Sequence, residues 1–284
     1  MKAGKRSARW LPNPDAQLSV AAASAGQPSS TRHWVRAPMD RRTFLSLGAA
    51  GVVGLAGSSP VAAAQLPSQL PVPTAGDDIP IGKSRLGIAD DERDGTVYVP
   101  ASYKKGVPMP ILVMLHGFRS TAEAVRYTFP LAEEFGVIVL APESRDVTWG
   151  QSIPGFDADS RFIGMAFRWV SEVLTIDPGK VAMGGVSDGA NYALNMGLAY
   201  GDTFNHLMIY SVGMLTTFRR QGKPRIFLAH GTNDQQMPID RTGRKFAAQL
   251  KDEQYDVLFR EYDGGHGAPL PIVRESFEWF TKKG

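Results

Sequence analysis

The sequence predicts an α/β fold with a mostly parallel central sheet and helices on both faces. From Gly82 onward, short β-branched runs alternate with stretches of helical spacing. The runs are apolar at nearly every position, which is typical of strands buried on both faces. Repeated strand-then-helix order favours parallel strands joined by helical crossovers. The chain has 284 residues, 43% of them hydrophobic, which is enough for one large core.

Seven runs rich in β-branched and aromatic residues predict the strands. They lie at residues 96–99, 111–115, 137–140, 181–186, 206–212, 225–229 and 257–262.

Five stretches between or after these runs have helical spacing. The clearest is 159–174, where apolar residues including Phe162, Ala166 and Val170 recur three or four apart. The others lie at residues 122–134, 189–199, 241–254 and 272–282. Pro130 is expected to bend or split the first of these, because proline cannot donate the hydrogen bond that a helix interior requires.

The charge of the chain is unevenly distributed. The whole sequence carries +3, but residues 1–64 hold eight Lys or Arg and two Asp, which leaves 23 basic and 26 acidic residues over 65–284. The folded part therefore gives no electrostatic reason to expect a nucleic-acid partner. The absence of cysteine excludes disulfides, thiolate metal sites, a cysteine nucleophile and a lipid-anchoring cysteine.

Residues 1–64 are typical of a twin-arginine export signal. Arg41 and Arg42 precede a run of small and apolar residues at 45–57, and Val61-Ala62-Ala63-Ala64 forms a small-residue cleavage site. The alternative is a short amphipathic helix. The run is shorter than the ~20 residues of a membrane span, so we expect the twin-arginine machinery as a partner, an exported (periplasmic or secreted) product, and no stable span after cleavage.

Two further segments belong to this N-terminal region. Residues 1–38 have no hydrophobic period, and we hypothesise that Met39 is the true translation start. Residues 65–81 contain four prolines and are predicted to form an extended linker, so the folded domain is assigned to 82–284.

Gly185-Val186-Ser187-Asp188-Gly189 lies between a predicted strand and a predicted helix. A serine in such a tight turn is exposed at the end of the sheet, and the flanking glycines let neighbouring backbone pass closely. Ser187 is therefore the candidate nucleophile. The alternative is a glycine-rich turn in which Ser187 is an ordinary helix N-cap.

A serine hydroxyl needs a base within hydrogen-bond reach. Of the five histidines, His266 follows the last predicted strand on the glycine-rich loop 263–267 and is the candidate base. His116 and His230 each precede a glycine after a strand and are expected to be structural turn residues, and His206 to be a structural strand residue.

The carboxylate that orients the histidine should follow an earlier strand. Asp234 follows the strand 225–229 and suits this position, although an Asx-turn aspartate is the alternative. Asp240 is a competitor whose place before the next helix suits a cap better. Asp188 is too close to Ser187 in sequence to orient His266.

Acyl transfer also needs N–H donors for the developing oxyanion. The backbone N–H groups of Phe118, after the strand 111–115, and of Asp188, directly after Ser187, are the candidate donors. The Phe118 side chain is expected to pack against the acyl group.

Together, Leu115-His116-Gly117, Gly185-x-Ser187-x-Gly189, His230-Gly231-x-x-Asp234 and Gly265-His266 resemble the motifs of the α/β-hydrolase superfamily. The chain is most similar to small carboxylesterase/phospholipase and polyhydroxybutyrate-depolymerase-like esterases. The resemblance spans 82–283 and implies an α/β-hydrolase fold of about seven or eight strands. It implies the roles given above for Ser187, Asp234, His266, Phe118 and Asp188, without metal or organic cofactor. Asp188 departs from the carboxylesterase group, which often has Gln there.

The substrate must be inferred from the residues around the triad. Only residues 213–224 separate two strands where the superfamily commonly inserts a lid, so we expect no large cap domain. Trp149, Phe156, Met214 and Met237 are candidate pocket residues, although Trp149 could equally be a surface aromatic. An uncapped site favours small-molecule esters with short or medium acyl groups, or the end of an accessible chain.

The resulting hypothesis is an exported serine hydrolase that cleaves carboxylic esters through an acyl-enzyme. Two alternatives stay open: a serine peptidase or amidase on the same fold, and a non-catalytic exported binding protein.

Overall fold

The computed structural model describes residues 78–89, 93–150 and 158–282. The predicted signal segment, residues 65–77 of the predicted linker, and Phe156 lie outside the described residues. Residues 78–81 lead into the first strand.

The described residues form an eight-stranded sheet with the spatial order β1-β2-β4-β3-β5-β6-β7-β8. Its strands are β1 Gly82–Arg85, β2 Gly95–Val99, β3 Met109–Leu115, β4 Ile138–Pro142, β5 Ile176–Val186, β6 His206–Tyr210, β7 Arg225–Gly231 and β8 Val257–Tyr262. The pairs β1–β2 and β2–β4 are antiparallel, and the pairs from β4 through β8 are parallel. The predicted mostly parallel sheet is confirmed.

Helices cover both faces of this sheet. The described α-helices are α1 Phe129–Phe135, α2 Ala158–Val173, α3 Asp188–Ala199, α4 Gly243–Asp252 and α5 Leu270–Thr281. Alternate residues of β3 face opposite cores: Val113 belongs to the core cluster that also contains residues of α2, α3 and α4, whereas Leu112 belongs to the one that contains residues of α1 and α5. This alternation explains the nearly continuous apolar strands of the sequence, since both faces are buried.

The elements depart from the sequence prediction at a few places. The sequence does not predict β1, because Gly-Lys-Ser-Arg contains no apolar residue; it is an edge strand whose backbone pairs with β2. The predicted helix 122–134 is split, as Pro130 indicated, into a 3₁₀ helix at Ala122–Thr128 and α1. β6 ends at Tyr210 because Ser211 has a φ of 51°.

His206 occupies a buried position on β6. Its imidazole lies edge-on to the rings of Trp279 and Phe280, at centroid distances of 5.3 and 5.1 Å. Burial, with Lys180 and Arg225 nearby, lowers the pKa of His206 to about 4. The side chain is therefore neutral in the native protein at neutral pH, as the sequence assignment to a structural role requires.

We expect this histidine to destabilise the protein in acid. Because the folded pKa lies below the ordinary value of 6.5, the unfolded chain binds a proton first. The contribution of neutral His206 to the free energy of unfolding is fully present above the unfolded-state pKa of 6.5. It is lost as the pH falls toward the folded-state pKa of about 4. This pKa shift corresponds to a loss of at most roughly 3 kcal/mol in the free energy of unfolding when His206 becomes protonated. Urea unfolding at about pH 7.5 and about pH 4 measures the loss.

His206→Asn is the matched variant. The amide stays neutral and can still donate toward Asn205 Oδ1, which lies 2.7 Å from His206 Nδ1. The variant should lose less unfolding free energy between the two pH values than the wild type. Equal losses in both proteins would contradict the assignment.

Candidate active site

The candidate residues all follow the carboxyl ends of parallel strands. Phe118 follows β3, Ser187 follows β5, Asp234 follows β7 and His266 follows β8. Because these strands run in the same direction, their carboxyl ends lie at one edge of the sheet, where sites in open α/β sheets are found.

Ser187 lies in a strained turn between β5 and α3. Its φ of 57° and ψ of −119° fall in a region that non-glycine residues rarely adopt. Its N–H donates to Tyr210 O at 3.0 Å, and its side chain makes no N-cap hydrogen bond. The alternative of an ordinary N-cap serine is thus wrong, and the hydroxyl is not engaged in supporting the helix.

The two glycines around Ser187 are required by close backbone contacts. A Cβ at Gly185 would lie 2.3 Å from Gly189 O. A Cβ at Gly189 would lie 2.4 Å from Leu115 O and 2.5 Å from His116 O. The turn after β5 is therefore packed against itself and against the end of β3.

His266 is oriented by Asp234. Its Nδ1 lies 2.7 Å from Asp234 Oδ2, while Asp234 Oδ1 accepts the N–H groups of Gln236 and Met237 at 2.9 and 2.8 Å. Burial raises the pKa of the Asp234 carboxyl, but the hydrogen bonds from Met237 and His266 outweigh it, so this pKa lies below its ordinary value. The ionised carboxylate accepts a hydrogen bond from His266 Nδ1–H, which leaves His266 Nε2 as the basic atom.

His266 Nε2 is buried and has no hydrogen-bond partner among the described residues. No hydrogen bond joins it to Ser187 Oγ in this part of the chain. The two loops are linked through β6: Ser187 donates to Tyr210 O, and the next residue, Ser211, binds both the N–H and the carbonyl of Gly267 at 3.0 and 2.9 Å. Tyr262 also donates to Gly267 O at 2.7 Å. The residue after His266 is thus fixed to the strand beside the serine.

The competing aspartates have other partners. Asp240 binds Arg244 at 2.7 Å and is 77% exposed, and the N-cap of α4 is Thr242, so the expected capping role of Asp240 is wrong. The Asp188 carboxylate accepts hydrogen bonds from Thr148 and Trp149. Asp234 is the carboxylate at His266.

His230 is a second imidazole against the same carboxylate. It is fully buried, and its Nε2 lies 2.7 Å from Met237 O and 3.2 Å from Asp234 Oδ2. Burial lowers its pKa, so the ring is neutral with its proton on Nε2. The sequence suggested only a structural turn residue here. The motif His-Gly-x-x-Asp was the available signal, because it spaces a histidine four residues before the carboxylate.

The loop after β3 brings Gly117, the residue before Phe118, next to Ser187. A Cβ at Gly117 would lie 3.8 Å from Ser187 Cβ. His116 Nε2 accepts the Ser144 N–H at 3.1 Å, so the ring carries its proton on Nδ1, 2.8 Å from Gly117 O. Burial lowers the pKa of His116, which keeps this tautomer neutral. In a trans peptide the N–H points opposite to the carbonyl, so fixing Gly117 O fixes the direction of the Phe118 N–H.

The second candidate donor is the N–H of Asp188. It is the first residue of α3, where a helix offers no intrahelical acceptor. The positive end of the helix dipole lies at the same place, which favours a developing anion.

The predicted pocket residues have different environments. Met214 and Met237 are both half-buried. The Met237 side chain packs against Gly213, the residue before Met214, since its Sδ would lie 2.1 Å from a Cβ at Gly213. Phe118 is 55% exposed. Trp149 is only 1% exposed and packs in the core. Its side chain therefore neither lines a pocket nor lies at the surface, which were the two roles expected from the sequence.

The segment between β6 and β7 forms no helix or strand and contains no cap domain. It is tied to α3 instead: Asn191 Oδ1 accepts the N–H of Gly213, and Asn195 Oδ1 accepts those of Thr216 and Thr217, at 2.7 to 2.8 Å. The absence of a large cap over this edge is as the sequence predicts.

Within the described ranges, no group of three or more His, Asp or Glu side chains is placed to hold a metal ion. In the same ranges, none of the helices combines the length and apolar character needed to cross a membrane.

Comparison with solved structures identifies the fold. A propionate-bound thermophilic esterase, Est2, from the Planctomycetes species Thermogutta terrifontis has a TM-score of 0.56 and 18% identity, covering 72% of this chain and 97% of that one. The substrate-bound Staphylococcus aureus fluorophosphonate-binding serine hydrolase F has a TM-score of 0.55 and 15% identity, covering 71% of this chain and 98% of that one. Esterase PE8 has a TM-score of 0.53 and 17% identity, covering 66% of this chain and 96% of that one. No family model and no curated protein matches the sequence. The chain has the α/β-hydrolase fold.

The glycine contacts generate a stability prediction. Gly185→Ala should lower the free energy of unfolding by more than about 2 kcal/mol, because its Cβ would overlap backbone that cannot move independently. Gly265→Ala is the matched control, since nothing lies within 4 Å of its added Cβ and its backbone is not left-handed. That variant should change stability by less than about 1 kcal/mol. Urea unfolding of both variants measures this, and similar values for the two would contradict the packed turn.

Proposed function

We propose that this protein is a serine hydrolase of carboxylic esters, with Ser187 as nucleophile, His266 as general base and Asp234 as orienting acid. The observation that carries the proposal is the Asp234–His266 hydrogen bond of 2.7 Å, which leaves a bare, buried Nε2 at the sheet edge where the strained Ser187 turn lies. The fold shared with esterases and serine hydrolases supports the same chemistry.

The first half of the reaction acylates the enzyme. Ser187 Oγ attacks the ester carbonyl while His266 Nε2 takes the hydroxyl proton. The carbonyl oxygen becomes an oxyanion and accepts hydrogen bonds from the N–H groups of Phe118 and Asp188. The C–O bond to the alcohol then breaks, and His266 returns the proton to the leaving alkoxide.

The second half releases the acid. His266 removes a proton from water, the resulting hydroxide attacks the acyl carbonyl, and the bond to Ser187 Oγ breaks as the proton returns to it. Asp234 keeps the Nδ1 proton in place and stabilises the imidazolium in both halves. The cycle uses only protein groups and water, without metal or organic cofactor.

The substrate class follows from the open edge of the sheet. Residues 211–224, between β6 and β7, contain no helix, and the side chains of Phe118, Met214 and Met237 are the apolar groups that we assign to the acyl pocket. We propose that the substrates are small-molecule esters with short or medium acyl groups. In this the protein would act like the small carboxylesterase/phospholipase and depolymerase-like esterases that its motifs resemble. The propionate in the Thermogutta terrifontis esterase is a short acid of this kind.

We expect the chain from Gln65 onward to hydrolyse p-nitrophenyl esters, fastest at short or medium acyl length. Ser187→Ala should remove all but a trace of this activity, because the nucleophile is lost. Steady-state kinetics over acyl chains of rising length measures both. Activity that survives in Ser187→Ala, or no hydrolysis of any ester, would overturn the proposed function, and faster cleavage of matched amides would favour a peptidase.

The same assay separates the two aspartates. Asp234→Asn should lower kcat by about 10³- to 10⁴-fold, since the amide no longer holds the Nδ1–H tautomer. Asp240→Asn is the matched control and should stay within about twofold, because its carboxylate binds only the exposed Arg244. Equal kcat values for the two variants would argue against Asp234.

We also propose that residues 1–64 direct export through the twin-arginine machinery, with cleavage near Ala64 and a periplasmic or secreted product. Exchange of Arg41 and Arg42 for Lys should retain the protein in the cytoplasm of a bacterial host, whereas Arg32→Lys should not. Cell fractionation checks the location. Mass spectrometry checks the mature N-terminus, and a precursor peptide from before Met39 would refute a start at Met39.

A further inference from the structure

The segment that follows β4 contacts the Asp188 side chain. Asp188 Oδ2 accepts hydrogen bonds from Thr148 Oγ1 at 2.7 Å and from the Trp149 N–H at 3.2 Å. One carboxylate oxygen thus binds two donors of the same segment. The negative charge is directed toward these donors, and the backbone N–H of Asp188 stays available.

Trp149 connects the same segment to the loop after β3. Its Nε1–H donates to His116 O at 2.8 Å. Its ring also packs against those of His116 and Tyr192, at centroid distances of 4.8 and 5.7 Å. A buried indole needs a partner for its N–H, and here that partner is the backbone two residues before Phe118.

Other contacts tie the β3 loop to this segment from both sides of Phe118. The Arg119 N–H donates to Val147 O at 2.7 Å, and the Ser144 N–H donates to the His116 ring. The residues on each side of Phe118 are therefore held by 144–149, and Asp188 is held by Thr148 and Trp149 at the end of the same segment.

We propose that Trp149 and the Asp188 carboxylate are positioning residues that set the distance between the Phe118 and Asp188 N–H donors. The segment 144–149 acts as a clamp: Trp149 fixes the first donor through His116, and Asp188 fixes the second through Thr148 and Trp149. This inference rests on the proposed function. It gives Asp188, where the carboxylesterase group often has Gln, a role of its own in this chain.

The clamp predicts a loss of transition-state binding without loss of substrate binding. Oxyanion donors act on the charge that develops at the carbonyl oxygen, so a small displacement lowers kcat more than it changes KM. Trp149→Phe keeps an aromatic ring and removes only the indole N–H and its five-membered ring. Asp188→Ala removes the acceptor, Asp188→Asn retains one oxygen for both donors, and Thr148→Val removes one hydrogen bond from a side chain of similar shape.

The experiment measures kcat and KM of the mature chain on its best p-nitrophenyl ester, per active site titrated with a fluorophosphonate. Trp149→Phe and Asp188→Ala should each lower kcat about tenfold or more, with KM within about twofold. Affinity for a trifluoromethyl ketone should fall by the same factor as kcat/KM. Asp188→Asn should recover most of the activity lost in Asp188→Ala, and Thr148→Val should show a smaller decrease. Trp169→Phe, which shortens a buried indole on α2, should leave kcat per site unchanged.

Outcomes for the clamp and for the proposed function are distinct. Without Ser187-dependent ester hydrolysis by the wild type, the proposed function fails and the clamp with it. If the wild type is active but Trp149→Phe and Asp188→Ala reduce only the number of titratable sites, the residues are structural and the clamp is wrong. If these two variants do not fold, Thr148→Val decides: lower kcat and ketone affinity would support the clamp, and unchanged values would overturn it.

Discussion

The close approach of backbone around Ser187 is the constraint on which the rest of the site depends. β5 ends, the chain reverses at a strained φ of 57°, and α3 begins so near that Gly185 and Gly189 leave no room for a side chain between them. The same helix start touches the carbonyls that end β3. The Ser187 turn and the loop after β3 are therefore in direct contact, and a shift in one must move the other.

The strain at Ser187 must be offset by the structure around it. β5 contributes part of this, because it is the central strand, paired on one side with β3 and on the other with β6. The serine N–H is satisfied by Tyr210 O, and α3 is anchored through Asn191 and Asn195 to the segment after β6. A turn that follows an outermost strand of the sheet would lack these supports on one side. The position of the Ser187 turn in the middle of the sheet is thus a mechanical requirement.

Buried polar groups at this edge form one connected network. Asp234 accepts two backbone N–H groups and lies against the imidazoles of His266 and His230, and Ser211 and Tyr262 hold Gly267. A buried carboxylate without such partners would take up a proton and lose its ability to orient an imidazole. The network therefore stabilises the loops and preserves the charge state that the proposed chemistry uses.

The sequence by itself determined most of the elements, the order of the candidate residues and the requirement for Gly185, because these are coded locally. Alternation of β-branched runs with helical spacing specified seven of the eight described strands, and Gly185 is required by sterics within the five residues of Gly-x-Ser-x-Gly. Gly189 is required by contact with the end of β3, which only the tertiary structure brings there. β1 escaped because its pairing with β2 supplies the stability that its own side chains lack.

The tertiary structure alone decided which distant groups meet. The sequence could not place Trp149 in the core against His116, direct Asp188 toward Thr148 or bring Ser211 to Gly267. Each of these contacts joins loops from different strands, and its geometry depends on how the strands twist and where each loop finds a donor or acceptor. Such pairings are set by the packing of the whole sheet, since no local pattern encodes the partner of a hydrogen bond that spans tens of residues.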